Sequence, residues 1–240
     1  METWFSRSID QPFVAFSFMH FTMLAIFILG IVLITLLHKK QLIKPRGLEV
    51  IRWTLLAVLL LSELSYQFWA ITNETWSIRD RAPLHLCGIA SFTAMLALIF
   101  KKEKLIQLCF FIGIIPATLA LVTPDIPHDY QHFRFWKFFI HHIAIVWTSI
   151  FLVLTTKTSI HLRSFIYAYG FLVFYAIIIG FFVNPVINSN FLYLANTPAA
   201  STPLAFFGTG FWYYINLGIV ANIVFFIQYL AFRYWNSRKG

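Results

Sequence analysis

The stretch Phe135–Leu154 reads FWKFFIHHIAIVWTSIFLVL and contains one charged residue, Lys137. A helix of about 20 apolar residues crosses the hydrocarbon core of a bilayer. The stretch therefore predicts a transmembrane helix, and its adjacent histidines, His141 and His142, would lie inside the membrane. Ionisable side chains are costly there and usually functional, so this helix is also the first place to look for a site.

Six further apolar runs of similar character extend over most of the chain. They are Phe13–Leu37, Leu48–Ile71, Leu84–Phe100, Leu105–Val122, Leu162–Val183 and Trp212–Phe232. The chain is 60% hydrophobic and 11% charged, whereas soluble domains carry about 25% charged residues. We therefore predict an all-α polytopic membrane protein, in which residues 1–240 form a single domain, a bundle of seven transmembrane helices.

The basic residues fall unequally on the two sides of this threaded chain. One side receives twelve of them: Lys39, Lys40, Lys44, Arg46, Lys101, Lys102, Lys104, Lys157, Arg163, Arg233, Arg238 and Lys239. The other side receives five: Arg7, Arg79, Arg81, Arg134 and Lys137. Because cytoplasmic loops are enriched in Lys and Arg, we predict an outside N-terminus and a cytoplasmic C-terminus. The net charge of +9 thus reflects topology, and no nucleic-acid partner is predicted.

The polar residues inside the spans collect in one leaflet. Counted at about 1.5 Å per helical residue, they lie within about 12 Å of the outer ends of their spans: His20, Glu63, His85, Cys87, His141 and His142. A layer of ionisable groups at one depth predicts a reaction or binding site that opens toward the outer leaflet. Glu63 and His20 are also compatible with buried structural pairs.

Cys87 follows His85 by two residues, a spacing that separates side chains by about 200° on a helix. If Cys87 is a nucleophile, its base therefore comes from another helix, and His141 or His142 has a matching depth. The alternative is a small, buried, apolar cysteine. Cys109 is predicted near the opposite end of its span, beyond disulfide reach of Cys87.

The fourth loop has two interpretations. Its carboxylates and imidazoles have i, i+3, i+4, i+7 spacing, which a divalent metal could use: Asp125, His128, Asp129 and His132. Two prolines in the run oppose a regular helix. A lid that holds Arg134 toward an anionic headgroup is the other interpretation. We assign no metal ligand and no cofactor.

Five stretches together resemble a known family. They are Pro83-Leu84-His85-Leu86-Cys87, Thr123-Pro124-Asp125, His132-Phe133-Arg134-Phe135, Phe138–His142, and Asn190–Leu194 with the later Pro198 and Gly208. This combination resembles the YwaF-like bacterial integral membrane proteins, which are related to the eukaryotic transmembrane protein 164 group. The resemblance implies a multi-pass protein of the bacterial plasma membrane.

The resemblance also implies an activity. The eukaryotic relatives are linked to the transfer of fatty acyl chains onto lysophospholipids through an essential cysteine, and Cys87 occupies that position. His142 matches the family histidine on span five, while His141 is an extra histidine. Membrane lipids are then the predicted substrates.

From these residues we expect a phospholipid acyltransferase or transacylase. Cys87 would form an acyl thioester, His142 would act as general base and then acid, and Asp125 or Glu63 would orient the imidazole. His85 and Asn190 are expected oxyanion donors. The expected substrate-binding residues are Arg134, which would hold the phosphate, with His132, His141, Asn190 and His20.

Two other functions remain open at this stage. A proton-coupled transporter of a small solute or lipid would use Glu63, His20, His85 and His142 as a proton path, although such a path needs polar groups in both leaflets. A non-catalytic membrane protein could use the uncharged segment Asn184–Phe211 as a binding surface. The oligomeric state is not predicted.

Overall fold

The computed structural model describes residues 4–7, 11–156, 158–197 and 206–237. Within these segments the fold consists of helices and loops, with no strand. The α-helices are α1 (Phe18–Lys39), α2 (Pro45–Thr72), α3 (Ile78–Arg81), α4 (Leu86–Phe100), α5 (Glu103–Gly113), α6 (Ile115–Val122), α7 (Phe133–Thr155), α8 (Leu162–Ile178), α9 (Asn184–Ile187) and α10 (Gly210–Ser237). Four residues used in the sequence predictions, Lys157, Pro198, Arg238 and Lys239, lie outside the described segments.

Five helical segments are long enough and apolar enough to cross a membrane. They are α1, α5 with α6, α7, α8 with α9, and α10, which correspond to predicted spans one, four, five, six and seven. The other two predicted spans differ from these. α2 has 28 residues but contains Arg52 and Glu63, and α4 is apolar but has only 15 residues. The chain is therefore a membrane protein whose described residues form helices and loops, and five of its described helical segments are long and apolar enough to cross a membrane.

Two of the predicted spans are interrupted rather than continuous. α5 ends at Gly113 and α6 begins at Ile115, next to Pro116, which has no N–H for the preceding turn. The sixth predicted span passes from α8 through the π-helical turn Ile179–Val183 into α9, where Pro185 follows. Both interruptions fall beside proline, the usual cause of such a break.

α7 is the central helix of the bundle, since α1, α2, α4, α5 and α6 all pack against it. Its Phe135 and Phe139 side chains are completely buried. The contact with α1 is closest at Gly30, where an added β-carbon would collide with the Trp147 ring. The Trp147 indole Nε1 donates to the Phe27 carbonyl at 3.1 Å. This central position allows α7 to present side chains toward several neighbouring helices.

The shortness of α4 determines the architecture around Cys87. Fifteen residues extend over about 22 Å, less than the bilayer core of about 30 Å. The preceding segment Ala82–His85 folds over the start of the helix, and the Pro83 carbonyl lies against Gly88. The Tyr175 hydroxyl of α8 donates to the Leu84 carbonyl at 2.8 Å. The backbone of Ala82–His85 therefore packs against the first turn of the helix that carries Cys87, and the Tyr175 hydrogen bond holds it there.

This close approach makes Gly88 a testable position. A β-carbon there meets Pro83 backbone that cannot rotate away, so Gly88→Ala should lower the melting temperature of the purified protein by about 4 °C or more. Gly170→Ala on α8 is the matched control, because nothing lies within 4 Å of its added β-carbon. Equal melting temperatures for wild type and Gly88→Ala would contradict the described packing of Pro83 on Gly88.

Candidate functional site

Cys87 is the second residue of α4, and His85 is the residue that caps this helix on its N-terminal side. His85 therefore precedes the helix, so the helical angle expected between the two side chains does not apply. No side chain caps the first turn of α4. The backbone N–H groups of an uncapped first turn and the positive end of the helix dipole stabilise negative charge placed beside them. Cys87 stands in that position.

Cys87 and His142 lie at the same level in the bundle. Each stands thirteen residues before the end of its helix, at Phe100 and Thr155 respectively, a height of about 20 Å. The two helices pack together, and their lower ends meet at a cavity of about 310 Å³ lined by Lys101 and Thr155. Cys87 thus lies near the N-terminus of α4, as predicted. Counted from the C-terminal ends of α4 and α7, this N-terminus is at the same level as His142.

His142 is oriented by its own helix. Its Nδ1 lies 2.8 Å from the Phe138 carbonyl oxygen, and because a carbonyl only accepts, Nδ1 carries the proton. Nε2 is then the unprotonated nitrogen and can accept a proton from a thiol. The Lys137 ammonium interacts electrostatically with both His142 and Cys87, which places the three groups in one neighbourhood.

The carboxylates expected to orient this imidazole are engaged elsewhere. Glu63 accepts from Gln67 Nε2 at 2.7 Å and pairs with Lys137 at 3.5 Å. Asp125 accepts from the Tyr193 hydroxyl at 3.1 Å. The group that contacts His142 Nδ1 in this structure is the Phe138 carbonyl, one turn earlier on α7, and the expected role of Asp125 or Glu63 in orienting the imidazole stays a prediction.

The two other intramembrane histidines make structural contacts. His141 is buried, with Nδ1 3.1 Å from the Ser62 hydroxyl of α2. His20 accepts from the Phe16 N–H at Nδ1 and donates from Nε2 to the Leu121 carbonyl, at 2.9 and 2.8 Å. Both ring nitrogens of His20 are thus occupied by backbone, which favours its structural interpretation over substrate binding.

The His85 and Tyr193 rings pack together on the side of the site that faces the loop carrying Tyr193. Their ring centroids are 5.2 Å apart, and Phe191 packs on the other edge of the imidazole at 5.3 Å. Burial, with the charges of Asp125 and Cys87, raises the pKa of Tyr193. The Tyr193 hydroxyl therefore keeps its proton at neutral pH and can donate a hydrogen bond.

The loop that carries Tyr193 is held in an uncommon backbone conformation. Leu192 and Tyr193 have φ values of 59° and 55°, a left-handed region that costs about 1–2 kcal/mol for a residue other than glycine. The buried Asn184 side chain donates to the Phe191 carbonyl and accepts from the Phe191 N–H, both at 3.0 Å. Strained backbone with this much support is found at functional sites.

Asn190 supports the same loop. Its Nδ2 donates to the Asn196 carbonyl, and its Oδ1 accepts from the N–H groups of Ala195 and Asn196. These bonds hold the loop together, and the expected role of Asn190 as an oxyanion donor stays a prediction.

The fourth loop is not a helix, so the predicted i, i+3, i+4, i+7 arrangement of its carboxylates and imidazoles does not form. The His132 Nδ1 accepts from the Arg134 N–H at 3.1 Å and so caps α7, while Nε2 donates to the Ser6 carbonyl at 2.9 Å. The His128 and His132 rings stack at 3.8 Å. Within the described part of the chain, no three His, Cys, Asp or Glu side chains are arranged to hold a metal. His132 positions the start of α7 rather than substrate.

Arg134 lies over the Trp69 ring at 5.1 Å, in the N-terminal turn of α7. Sequence reasoning missed Lys137, Tyr193 and Arg81 as site residues. For Lys137 a signal existed, since it is a lone cation in an apolar span, about one helical turn before the two adjacent histidines. For Tyr193 the signal was its place in the stretch Asn190–Leu194, which resembles the family, but its position in space depends on the left-handed turn of its loop.

The cysteines are both free, and Cys109 is buried against the Ser149 hydroxyl, 3.1 Å from its Sγ. No curated protein and no solved structure matches the chain. The model of the TMEM164 family matches residues 15–229, which include α1 to α9 and most of α10. This match covers the thiol, both adjacent histidines and the Tyr193 loop. The chain belongs to the TMEM164 family.

Proposed function

We propose that this protein is a membrane-embedded acyltransferase or transacylase for glycerophospholipids or lysophospholipids, with Cys87 as the nucleophile. The observation that supports it best is a thiol in the uncapped first turn of α4, level with a histidine whose Nε2 is unprotonated. An activated cysteine needs a neighbouring base and stabilisation of its thiolate, and this arrangement offers both.

In the first half-reaction His142 Nε2 takes the proton of the Cys87 thiol, and the sulfur attacks the ester carbonyl of a phospholipid. The C–S bond forms, the C–O bond to glycerol breaks, and His142 returns the proton to the departing glycerol oxygen. The products are an acyl thioester on Cys87 and a lysophospholipid. Lys137, which interacts with both reacting groups, stabilises the thiolate.

In the second half-reaction a hydroxyl of the acceptor lysophospholipid gives its proton to His142 and attacks the thioester carbonyl. The new C–O ester bond forms, the C–S bond breaks, and His142 returns the proton to the sulfur, which restores the Cys87 thiol. The oxyanion of each tetrahedral intermediate is stabilised by the first-turn N–H groups of α4 and by the His85 ring. Tyr193 is a positioning residue, since it holds Asp125 and packs on His85.

We further propose that α2 and α4 complete a seven-span bundle with the N-terminus outside and the C-terminus cytoplasmic. The ion pair between Glu63 and Lys137 links α2 to α7, and Arg52 of α2 donates to the Leu98 carbonyl of α4 at 2.9 Å. Both helices are thus packed inside the bundle. We also propose that the protein is one of the YwaF-like bacterial members of the family and that it resides in the plasma membrane.

Proton-coupled transport is the alternative function. It is less well supported than acyl transfer, because two of the residues expected in a proton path are held in fixed contacts. A proton path needs groups that can change partners. Here His20 is bonded to backbone at both nitrogens, and Glu63 is held by Gln67 and Lys137. A pH-dependent flux in liposomes that contain the protein would favour transport over acyl transfer.

The first prediction about the proposed activity concerns the nucleophile. Reconstituted wild-type protein should move an isotope-labelled acyl chain from phospholipid to a lysophospholipid acceptor, as measured by mass spectrometry. Cys87→Ala should reduce this transfer to background, whereas Cys109→Ala, at the other free thiol, should retain it. Equal transfer by wild type and Cys87→Ala would refute the proposal, and label released as free fatty acid would identify a hydrolase.

The second prediction separates the adjacent histidines. His142→Ala should lower acyl transfer by at least about 100-fold, because the general base is lost. His141→Ala should instead lower the melting temperature, since its contact with Ser62 joins α2 and α7, and should keep measurable transfer. The proposal fails if His141→Ala loses transfer while His142→Ala keeps it, with both proteins folded.

The third prediction tests the loop. Tyr193→Phe removes the hydroxyl that donates to Asp125, and loss of one hydrogen bond of about 1 kcal/mol should slow acyl transfer about fivefold. Tyr169→Phe is the matched control, because its hydroxyl bonds the Gly218 carbonyl between α8 and α10. Equal rates for the two variants would show that Tyr193 has no special role.

A further inference from the structure

We propose that Arg81, Arg134 and Lys137 form a binding site for the phosphate group of the lipid substrate. The inference rests on the proposed function for the identity of the ligand as a phospholipid. It extends the sequence expectation, which assigned the phosphate to Arg134 alone. These three side chains together are named the cationic cluster.

The cationic cluster is built around two aromatic rings of α2. The Arg81 guanidinium carbon lies 5.7 Å from the centroids of both Tyr66 and Trp69. Arg134 lies 5.1 Å from Trp69, and Lys137 Nζ lies 4.4 Å from Tyr66. The Arg81 Nη1 also donates to the Tyr66 hydroxyl. The two rings thus bring the three cationic side chains into one cluster.

The charges of the cluster are incompletely balanced. Among the described residues, Glu63 is the one carboxylate that forms an ion pair with any of the three cations, at 3.5 Å from Lys137. The cluster with Glu63 therefore has a net charge of two positive units. Like charges repel strongly where water is scarce, and cation–π contacts offset only about 0.5–2 kcal/mol each. An anionic ligand would balance the charge.

An unused donor points to the same conclusion. Arg81 Nε is buried and has no hydrogen-bond partner. A buried polar group without a partner costs about 1–3 kcal/mol. An oxygen of a bound anion would accept from this N–H. Two guanidinium groups and one ammonium supply the planar and point-charge donors that phosphate oxygens bind.

The position of the cluster fits a phospholipid that enters with its headgroup outward. Lys137 lies five residues before His142 on α7, about 8 Å nearer the outer end. Lys137 also interacts electrostatically with Cys87. The phosphate would thus be held above the thiol, and the ester carbonyls of the same lipid, which lie deeper, would face Cys87. The cluster would select glycerolipids that carry phosphate over neutral ones.

Binding can be measured without catalysis in full-length Cys87→Ala protein in detergent. The probes are lysophosphatidylcholine, a monoacylglycerol with the same acyl chain, glycerophosphocholine and inorganic phosphate, with native mass spectrometry as the readout. Lysophosphatidylcholine should bind at least about tenfold more tightly than monoacylglycerol, a difference of about 1.4 kcal/mol. Equal binding of these two lipids would overturn the proposal.

Glycerophosphocholine should compete with lysophosphatidylcholine and so report the phosphate ester itself. Competition by inorganic phosphate without competition by glycerophosphocholine would overturn the lipid assignment, because the site would then prefer free phosphate. Since the thiol is absent in this protein, a failure of acyl transfer in the activity assay leaves these binding results unaffected.

Substitutions locate the site. Arg81→Gln, Arg134→Gln and Lys137→Gln should each weaken lysophosphatidylcholine binding about tenfold and leave monoacylglycerol binding unchanged. Arg79→Gln is the matched control, because Arg79 bonds the Asn188 carbonyl at the surface. Arg81→Lys keeps the charge and provides a second test if Arg81→Gln does not fold. Equal losses for Arg79→Gln and Arg81→Gln would contradict the assignment.

Discussion

The length of α4 is the constraint on which the rest of the site depends. At fifteen residues the helix is too short to reach across a bilayer core of about 30 Å. Counted from the C-terminal ends of α4 and α7, the N-terminus of α4 lies level with His142. The backbone of Ala82–His85 fills the space above it, and Gly88 permits the close approach. A thiol at this terminus gains the helix dipole and a neighbouring imidazole together.

α7 supplies the complementary groups because it is the helix that most others contact. Arg134 and Lys137 lie on its first two turns and His142 lies further along the helix, so one helix carries both a cationic region and a basic nitrogen. The Phe138 carbonyl fixes the tautomer of His142. The extra histidine, His141, has a structural role instead, since its Nδ1 contacts the Ser62 hydroxyl of α2.

The helices could be predicted well from composition and apolar length, and the interruptions at Pro116 and Pro185 could have been anticipated from proline. The depth of Cys87 could not, because span counting assumes that each helix crosses the whole bilayer. The partners of the Glu63 and Asp125 carboxylates could not be predicted from the sequence either. Glu63 meets Lys137 only through the packing of α2 on α7, and Asp125 meets Tyr193 only through the left-handed turn at Leu192.

The most direct test of the central claim is to look for the acyl thioester on Cys87 itself. Purified protein would be incubated with phospholipid carrying an isotope-labelled acyl chain, then digested and analysed by mass spectrometry, with and without hydroxylamine. The account predicts the labelled acyl mass on the peptide that contains Cys87, and its removal by hydroxylamine. Transfer of label to acceptor with Cys87 unmodified throughout, or an adduct confined to another residue, would contradict it.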